Sequence, residues 1–127
     1  MDIILDTQTF IWFCEGDEKL PNKVRDIISN KENNIKVSIA SLWEMTIKMS
    51  IEKLVLSFSI TEIMNLVFEN GFKVLPIEVK HLISLFDLKY FHRDPFDRMI
   101  IAQSISENIP VISSDGIFKE YPVQVIW

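Results

Sequence analysis

Short apolar runs and longer mixed stretches alternate along this chain. Asp2 to Leu5, Ile35 to Val37, Phe72 to Leu75, Val111 to Ser113 and Val123 to Ile126 are brief, rich in β-branched residues and bounded by polar or turn residues, which predicts five strands. The stretches between them read as helices. Thr7 caps a predicted helix through Phe10-Ile11-Trp12-Phe13 that Gly16-Asp17 ends, and Pro21 opens another reaching about Ser29, before a polar turn from Asn30 to Asn34. Ser38 or Ser41 starts a helix carrying Leu42-Trp43-Glu44-Met45 and Ile47-Lys48, and an extended link from Leu54 to Phe58 follows. Ser59 or Thr61 starts the next helix, which Asn70-Gly71 stops as a C-cap. Ile77 to Leu88 is predicted helical with Leu82, Leu85 and Phe86 as its apolar face; Asp94-Pro95, a cap followed by proline at the first position, opens a last helix to Glu107.

Strands alternating with helices predict βαβ units and an α/β fold around a mostly parallel sheet. Such sheets bind ligands beyond the carboxyl ends of their strands. The 127 residues suffice for one domain with a real core and are too few for two, so 1–127 is read as a single domain. No apolar stretch reaches transmembrane length, and the opening residues lack a basic segment and a cleavage pattern. Cys14 is the only cysteine, which rules out an internal disulfide and a cysteine-based metal site and fits a reducing cytoplasm.

Against this apolar background four acids fall where elements begin or end: Asp6, Glu44, Asp97 and Asp115. Each has an ordinary explanation. Asp6 follows a strand too apolar to be exposed, and aspartate is a good turn or helix cap. Glu44 sits among Leu42, Trp43, Met45 and Ile47 with Lys48 four residues on, the favourable order for a helical surface pair. In the other reading Lys48 orients Glu44 or reaches a phosphate. Asp97 at the third helical position suits the helix dipole, although Asp94 already supplies the cap. Asp115-Gly116 makes a good turn. Jointly, however, acids at strand ends converge on one crevice, and crowded carboxylates are compensated by a hard cation such as Mg²⁺ or Mn²⁺. Arg93 and Arg98 flank Asp97 and would neutralise that turn or contact a phosphodiester. These residue types point to metal-assisted hydrolysis, with the cation acidifying water and stabilising charge on phosphoryl oxygens. No histidine has to act as base: His81 reads as a helix residue near a surface, and His92 is at most an assistant. A net charge of −5 weighs against tight nonspecific nucleic-acid binding, but metal-holding acids would account for several of those charges.

The ordered series of Asp2-Ile3-Ile4-Leu5-Asp6-Thr7, the stretch from Ser38 to Lys48, His92-Arg93-Asp94-Pro95-Phe96-Asp97-Arg98 with Ala102-Gln103, Ser113-Ser114-Asp115 and the closing Val123 to Trp127 resembles the PIN-domain ribonucleases, closely the VapC-type toxins of toxin–antitoxin pairs. The resemblance covers essentially the whole chain. It implies a three-layer α/β/α fold with a five-stranded parallel sheet, and an endoribonuclease using Mg²⁺ or Mn²⁺. Asp6, Glu44, Asp97 and Asp115 would hold the metal, Asp94 would cap its helix, and Thr7 and Ser41 would supply supporting hydroxyls. It further implies cleavage of tRNA or ribosomal RNA that inhibits translation, neutralisation by a small antitoxin, and a homodimer without membrane attachment. Two positions depart from the subgroup. Gln8 stands where histidine often follows the first Asp-Thr pair, and Glu52-Lys53-Leu54 replaces Gly-Lys-Leu; neither removes a proposed ligand, so substrate preference is affected before catalysis. The four adjacent bulky residues Phe10 to Phe13 cannot all face one side of a helix; the ordinary reading is a helix pressed between core and surface with one or two of them partly exposed, while the resemblance implies a subunit or antitoxin surface, for which Phe10, Trp12 and Phe13 are the candidates.

Other chemistries fit less well. An aspartyl phosphatase typically places a second acid two residues after its nucleophile, where this chain has Gln8. A phospho-acceptor signalling domain needs an aspartate after the third strand, where Leu75-Pro76 stands. A PIN-like binding or regulatory protein with a degenerate site is the alternative from a different class, and residue types alone leave DNA open as a substrate.

Overall fold

A computed structural model describes all 127 residues. Five strands, β1 (Asp2–Leu5), β2 (Asn34–Ser38), β3 (Lys73–Leu75), β4 (Val111–Ile112) and β5 (Val125–Ile126), form one sheet in the order β3-β2-β1-β4-β5. All four pairings are parallel, with Leu5 opposite Val37 on one side and Ile112 on the other. The chain therefore builds outward from β1 through β2 to β3, then returns to add β4 and β5 on the opposite side. The switch point lies between β1 and β4, where crossover connections diverge and leave a crevice.

Six helices cover the sheet: α1 (Thr7–Glu15), α2 (Asn22–Ser29), α3 (Ile39–Ser50), α4 (Ile60–Glu69), α5 (Val79–Asp87) and α6 (Pro95–Glu107). Side chains alternate across a strand, so Ile3 and Leu5 join Phe10, Val24, Met45 and Ile63 in a core under α1–α4, while Ile4 joins Ile100, Ile101 and Phe118 in a second core under α5 and α6. This is a three-layer α/β/α arrangement.

Helix starts follow local chemistry. Asp6, rather than Thr7, caps α1 by accepting from Thr9 N at 2.8 Å. Ser38 caps α3, and Ser59 with Glu62 forms a capping box on α4. Pro21 stands one residue before α2 rather than inside it, and α5 begins at Val79, two residues later than expected. A 3₁₀ turn at Gly116–Glu120 follows β4. Gly16 adopts φ 63° to end α1, a conformation that favours glycine.

Two expectations about faces change. Phe10 is not a partner-surface residue: it is fully buried and packs edge-on to Phe72 with ring centroids 6.5 Å apart. Trp12 and Phe13 are half-buried, set against Trp127 and Phe72. On α5, Leu85 packs against the core as expected, but Leu82 and Phe86 point outward, Phe86 being 89% exposed. The large unpartnered apolar face therefore lies on α5, where Val79 and Ile83 are also exposed.

Candidate active site

Asp6, Glu44, Asp94, Asp97 and Asp115 line one depression of about 500 Å³. Each arrives on a different short-range device. Asp6 sits at the end of the central strand. Its two oxygens accept from Thr9 N at 2.8 Å and from the Ser113 hydroxyl at 2.6 Å, so it is at once a cap and a wall of the pocket. Glu44 rides the second turn of α3, and Asp97 the first turn of α6. Asp94 caps α6 by accepting from the Phe96 and Asp97 amides, and Asp115 caps the 3₁₀ turn by accepting from Ile117 N. Ser113 carries no charge to mark it in the sequence, yet its hydroxyl links the β1 and β4 acids: it donates to Asp6 and accepts from Asp115 N at 3.1 Å.

The supporting residues divide. Thr7 donates to Ser41 at 2.9 Å, and both are buried, so the hydroxyls brace α1 against α3. Lys48 reaches Glu44 Oε2 at 2.5 Å while remaining partly exposed, and the ammonium is held further toward its charged form chiefly by this bond. Arg93 is exposed. Arg98 is not available to a phosphate. It is 3% exposed, donates to the carbonyls of Leu88 and Lys89 and to the Tyr121 hydroxyl, and lies 3.7 Å over the Tyr90 ring. The densely charged sequence around Asp97 hid a structural arginine.

Crowding leaves an electrostatic signature. Burial, followed by the charges of Asp94, Glu44, Asp6 and Asp115, pushes the Asp97 carboxyl up to about 7. Burial also raises Asp6, against the opposing bonds from Ser113 and Thr9. Glu44 Oε1 is buried without any hydrogen-bond partner. An orphaned buried carboxylate oxygen on a residue that lines a depression with four further acids leaves the site short of positive charge, and hard oxygens are the donors that Mg²⁺ or Mn²⁺ takes.

A second group lies at the far end of α6. Ligand atoms of Glu78, His81 and Glu107 all fall within 4.8 Å of one another, close enough to coordinate a divalent metal. Ten residues of helix separate Glu107 from Asp97, about 15 Å, so the two groups cannot share an ion. Here the donors are already engaged. His81 is buried rather than near a surface, its Nδ1 accepts from Glu78 N at 2.9 Å, and its Nε2 lies 3.2 Å from Glu107 Oε1. Lys80 stands 3.0 Å from Glu107 and holds that carboxyl below its ordinary range. The acid pocket, with an unsatisfied oxygen, has the greater need of a cation.

The PIN domain family model matches residues 3–124. The chain belongs to the PIN domain family. Comparison by sequence with curated proteins gives no significant match. Among solved structures, this PIN domain is similar to a chain of VapBC2 from Rickettsia felis bound to a DNA fragment from their promoter, with a TM-score of 0.74 and 17% identity over 99% of this chain and 98% of that one. A chain of DNA-bound VapBC from Salmonella typhimurium gives 0.71 and 18% over 99% and 97%. VapBC-5 from Mycobacterium tuberculosis, a member of the VapBC family of toxin–antitoxin systems, gives 0.60 and 18% over 98% and 97%. At these identities the likeness is one of fold.

The crowding has a measurable consequence. Asp97 binds its proton more tightly in the folded than in the unfolded chain, where its value is the ordinary 3.8. Between 3.8 and about 7 the folded state keeps a proton the unfolded state has released, so stability falls as pH rises through this window. Raised Asp6 acts in the same direction. In EDTA, the melting temperature is expected to rise as pH drops from about 7.5 to about 5, relative to Asp97→Asn measured in parallel. Saturating Mg²⁺ should flatten that difference. An unchanged difference across this window would mean that the acids do not crowd as described.

Proposed function

We propose that this PIN domain is a metal-dependent endoribonuclease toxin that hydrolyses phosphodiester bonds in structured RNA, tRNA or ribosomal RNA, and so inhibits translation. The observation that carries the proposal is the convergence of five acids on one depression, with Glu44 Oε1 buried and unpartnered. Asp6, Glu44, Asp97 and Asp115 would hold Mg²⁺ or Mn²⁺. When bound, the ion supplies charge neutralisation at the phosphate and acidifies a water molecule.

The chain's own groups do the positioning. Ser113 and Thr9 fix both oxygens of Asp6, and Asp94 keeps the first turn of α6 capped so that Asp97 is held in place. Lys48 holds one oxygen of Glu44 and the other has no protein partner; Lys53, which also lines the depression, and exposed Arg93 are the cations placed to meet an RNA backbone. Likeness of fold to VapBC-5, from a toxin–antitoxin system, supports the reading of a toxin restrained by a small cognate antitoxin. A homodimer and a cytoplasmic location complete the proposal; no helix is long and apolar enough to cross a membrane.

Purified, antitoxin-free protein should cut total tRNA or ribosomal RNA into discrete fragments with Mg²⁺ or Mn²⁺, and EDTA should abolish this. Folded protein that cuts neither RNA with either metal would overturn the proposed activity.

A further inference from the structure

Tyr121 is distant from α6 in sequence, yet its hydroxyl is the centre of a four-residue chain that ends on Asp97. The Tyr121 oxygen accepts from Arg98 Nη1 at 3.1 Å and from the His92 backbone N–H at 3.3 Å. A phenol oxygen has room for two such donors, so its own proton must be donated onward. The remaining partner is His92 Nδ1 at 2.8 Å. In the neutral ring Nδ1 is then the acceptor and Nε2 carries the hydrogen. Nε2 lies 3.3 Å from Asp97 Oδ2. Counting donors at the phenol oxygen thus gives the neutral ring an Nε2–H.

We propose that His92 is a positioning residue whose tautomer Tyr121 and Arg98 fix, so that its Nε2–H is held on Asp97 Oδ2 and the other carboxylate oxygen stays free of protein partners. This rests on the reading of Asp97 as a metal-holding acid. Both ring nitrogens are committed, one to Tyr121 and one to Asp97, so His92 acts through Asp97 and not on substrate. The support reaches back into the fold. Tyr121 is buried in the second core, and Arg98 ties the loop carrying His92 through the carbonyls of Leu88 and Lys89. Groups that orient a metal-holding carboxylate in this way typically contribute about 10- to 100-fold in metal affinity. Gln103 and Ser38, which bond to each other at 2.6 Å, have no link to this chain of donors.

The test uses the full chain and reads the ring directly. With only two histidines, His92→Gln assigns the spectrum. Two-bond ¹H–¹⁵N correlation above neutral pH should show His92 with a protonated Nε2 and a bare Nδ1, and Tyr121→Phe should lose that fixed pattern. Calorimetric titration with Mn²⁺ should show affinity about 10- to 100-fold weaker in His92→Ala, largely restored in His92→Gln, whose amide can still donate to Asp97. A protonated Nδ1 in the unmodified protein would overturn the proposal. So would His92→Ala binding Mn²⁺ as tightly as the unmodified chain. Should His92→Ala fail to fold, Tyr121→Phe and the spectrum decide. If the unmodified protein binds no Mn²⁺, the metal-site reading falls, while the tautomer spectrum still decides whether His92 donates to Asp97.

Discussion

Asp97→Asn is expected to produce a protein that is more stable at neutral pH and all but inactive on RNA. Both changes have one cause. Asparagine keeps the shape of the side chain but removes a charge that burial and four neighbouring acids oppose, which is why the Asp97 carboxyl is pushed up to about 7. Relief of that opposition should stabilise the metal-free protein by about 1–2 kcal/mol at pH 7.5, after allowing for solvent reaching the rim of the pocket. The same charge is what a divalent cation needs, so cleavage should fall by at least about 100-fold, the scale on which loss of one charge-stabilising group acts. Urea denaturation in EDTA measures the first effect and fragment yield with Mg²⁺ the second. Cleavage at the unmodified rate, with contaminating wild-type enzyme excluded, would remove Asp97 from the site. A loss of stability instead of a gain would refute the crowding.

Arg98→Ala should be among the most destabilising single changes in the chain. Its guanidinium makes three hydrogen bonds inside the protein, to Leu88 O, Lys89 O and Tyr121 Oη, at 2.8–3.1 Å. Alanine would leave two carbonyls short of a donor and a void beneath Tyr90, and the expected cost is at least about 3 kcal/mol. Lysine keeps the charge but not the planar fork, so Arg98→Lys should recover less than about half of that. Exposed Arg93 is the contrast. Arg93→Ala should move stability by less than about 0.5 kcal/mol while weakening RNA binding and its dependence on salt. Denaturant midpoints for the three variants separate a clamp from a surface charge, and a cost below about 1 kcal/mol for Arg98→Ala would rule the clamp out.

The strands were legible in the sequence because a buried parallel strand is a short apolar run with turn signals on both sides. The caps at Asp94 and Ser59 were legible because the chemistry of a helix start is local. What the sequence hid depends on which neighbour a side chain meets. Phe10 and Phe13 differ little as letters, but only Phe10 turns fully under the sheet. Leu82 and Leu85 sit three residues apart on α5, yet only Leu85 reaches the core, since α5 covers α6 along a narrow stripe. Helix α6 is buried over seven consecutive residues from Arg98 to Ser104, so no amphipathic period could reveal that Arg98 faces inward. Asp6 and Asp115 could be placed at one end of the sheet because each follows a predicted strand of a mostly parallel sheet. The roles of Ser113 and Tyr121 could not, because both act through hydroxyls whose partners are remote in sequence.

The bond from Ser113 to Asp6 joins residues 107 positions apart, beside the pairing of Leu5 with Ile112. Closing so long a stretch of chain is the slow part of forming a parallel sheet. Until β4 docks against β1, Asp6 lacks the hydroxyl that orients it and Asp115 has no place at the pocket. A polypeptide still being synthesised therefore carries no assembled acid pocket before the segment beyond Ser113 has emerged from the ribosome. Were the molecule the toxin proposed, translation would be spared by every chain too short to have exposed Ser113 and Asp115.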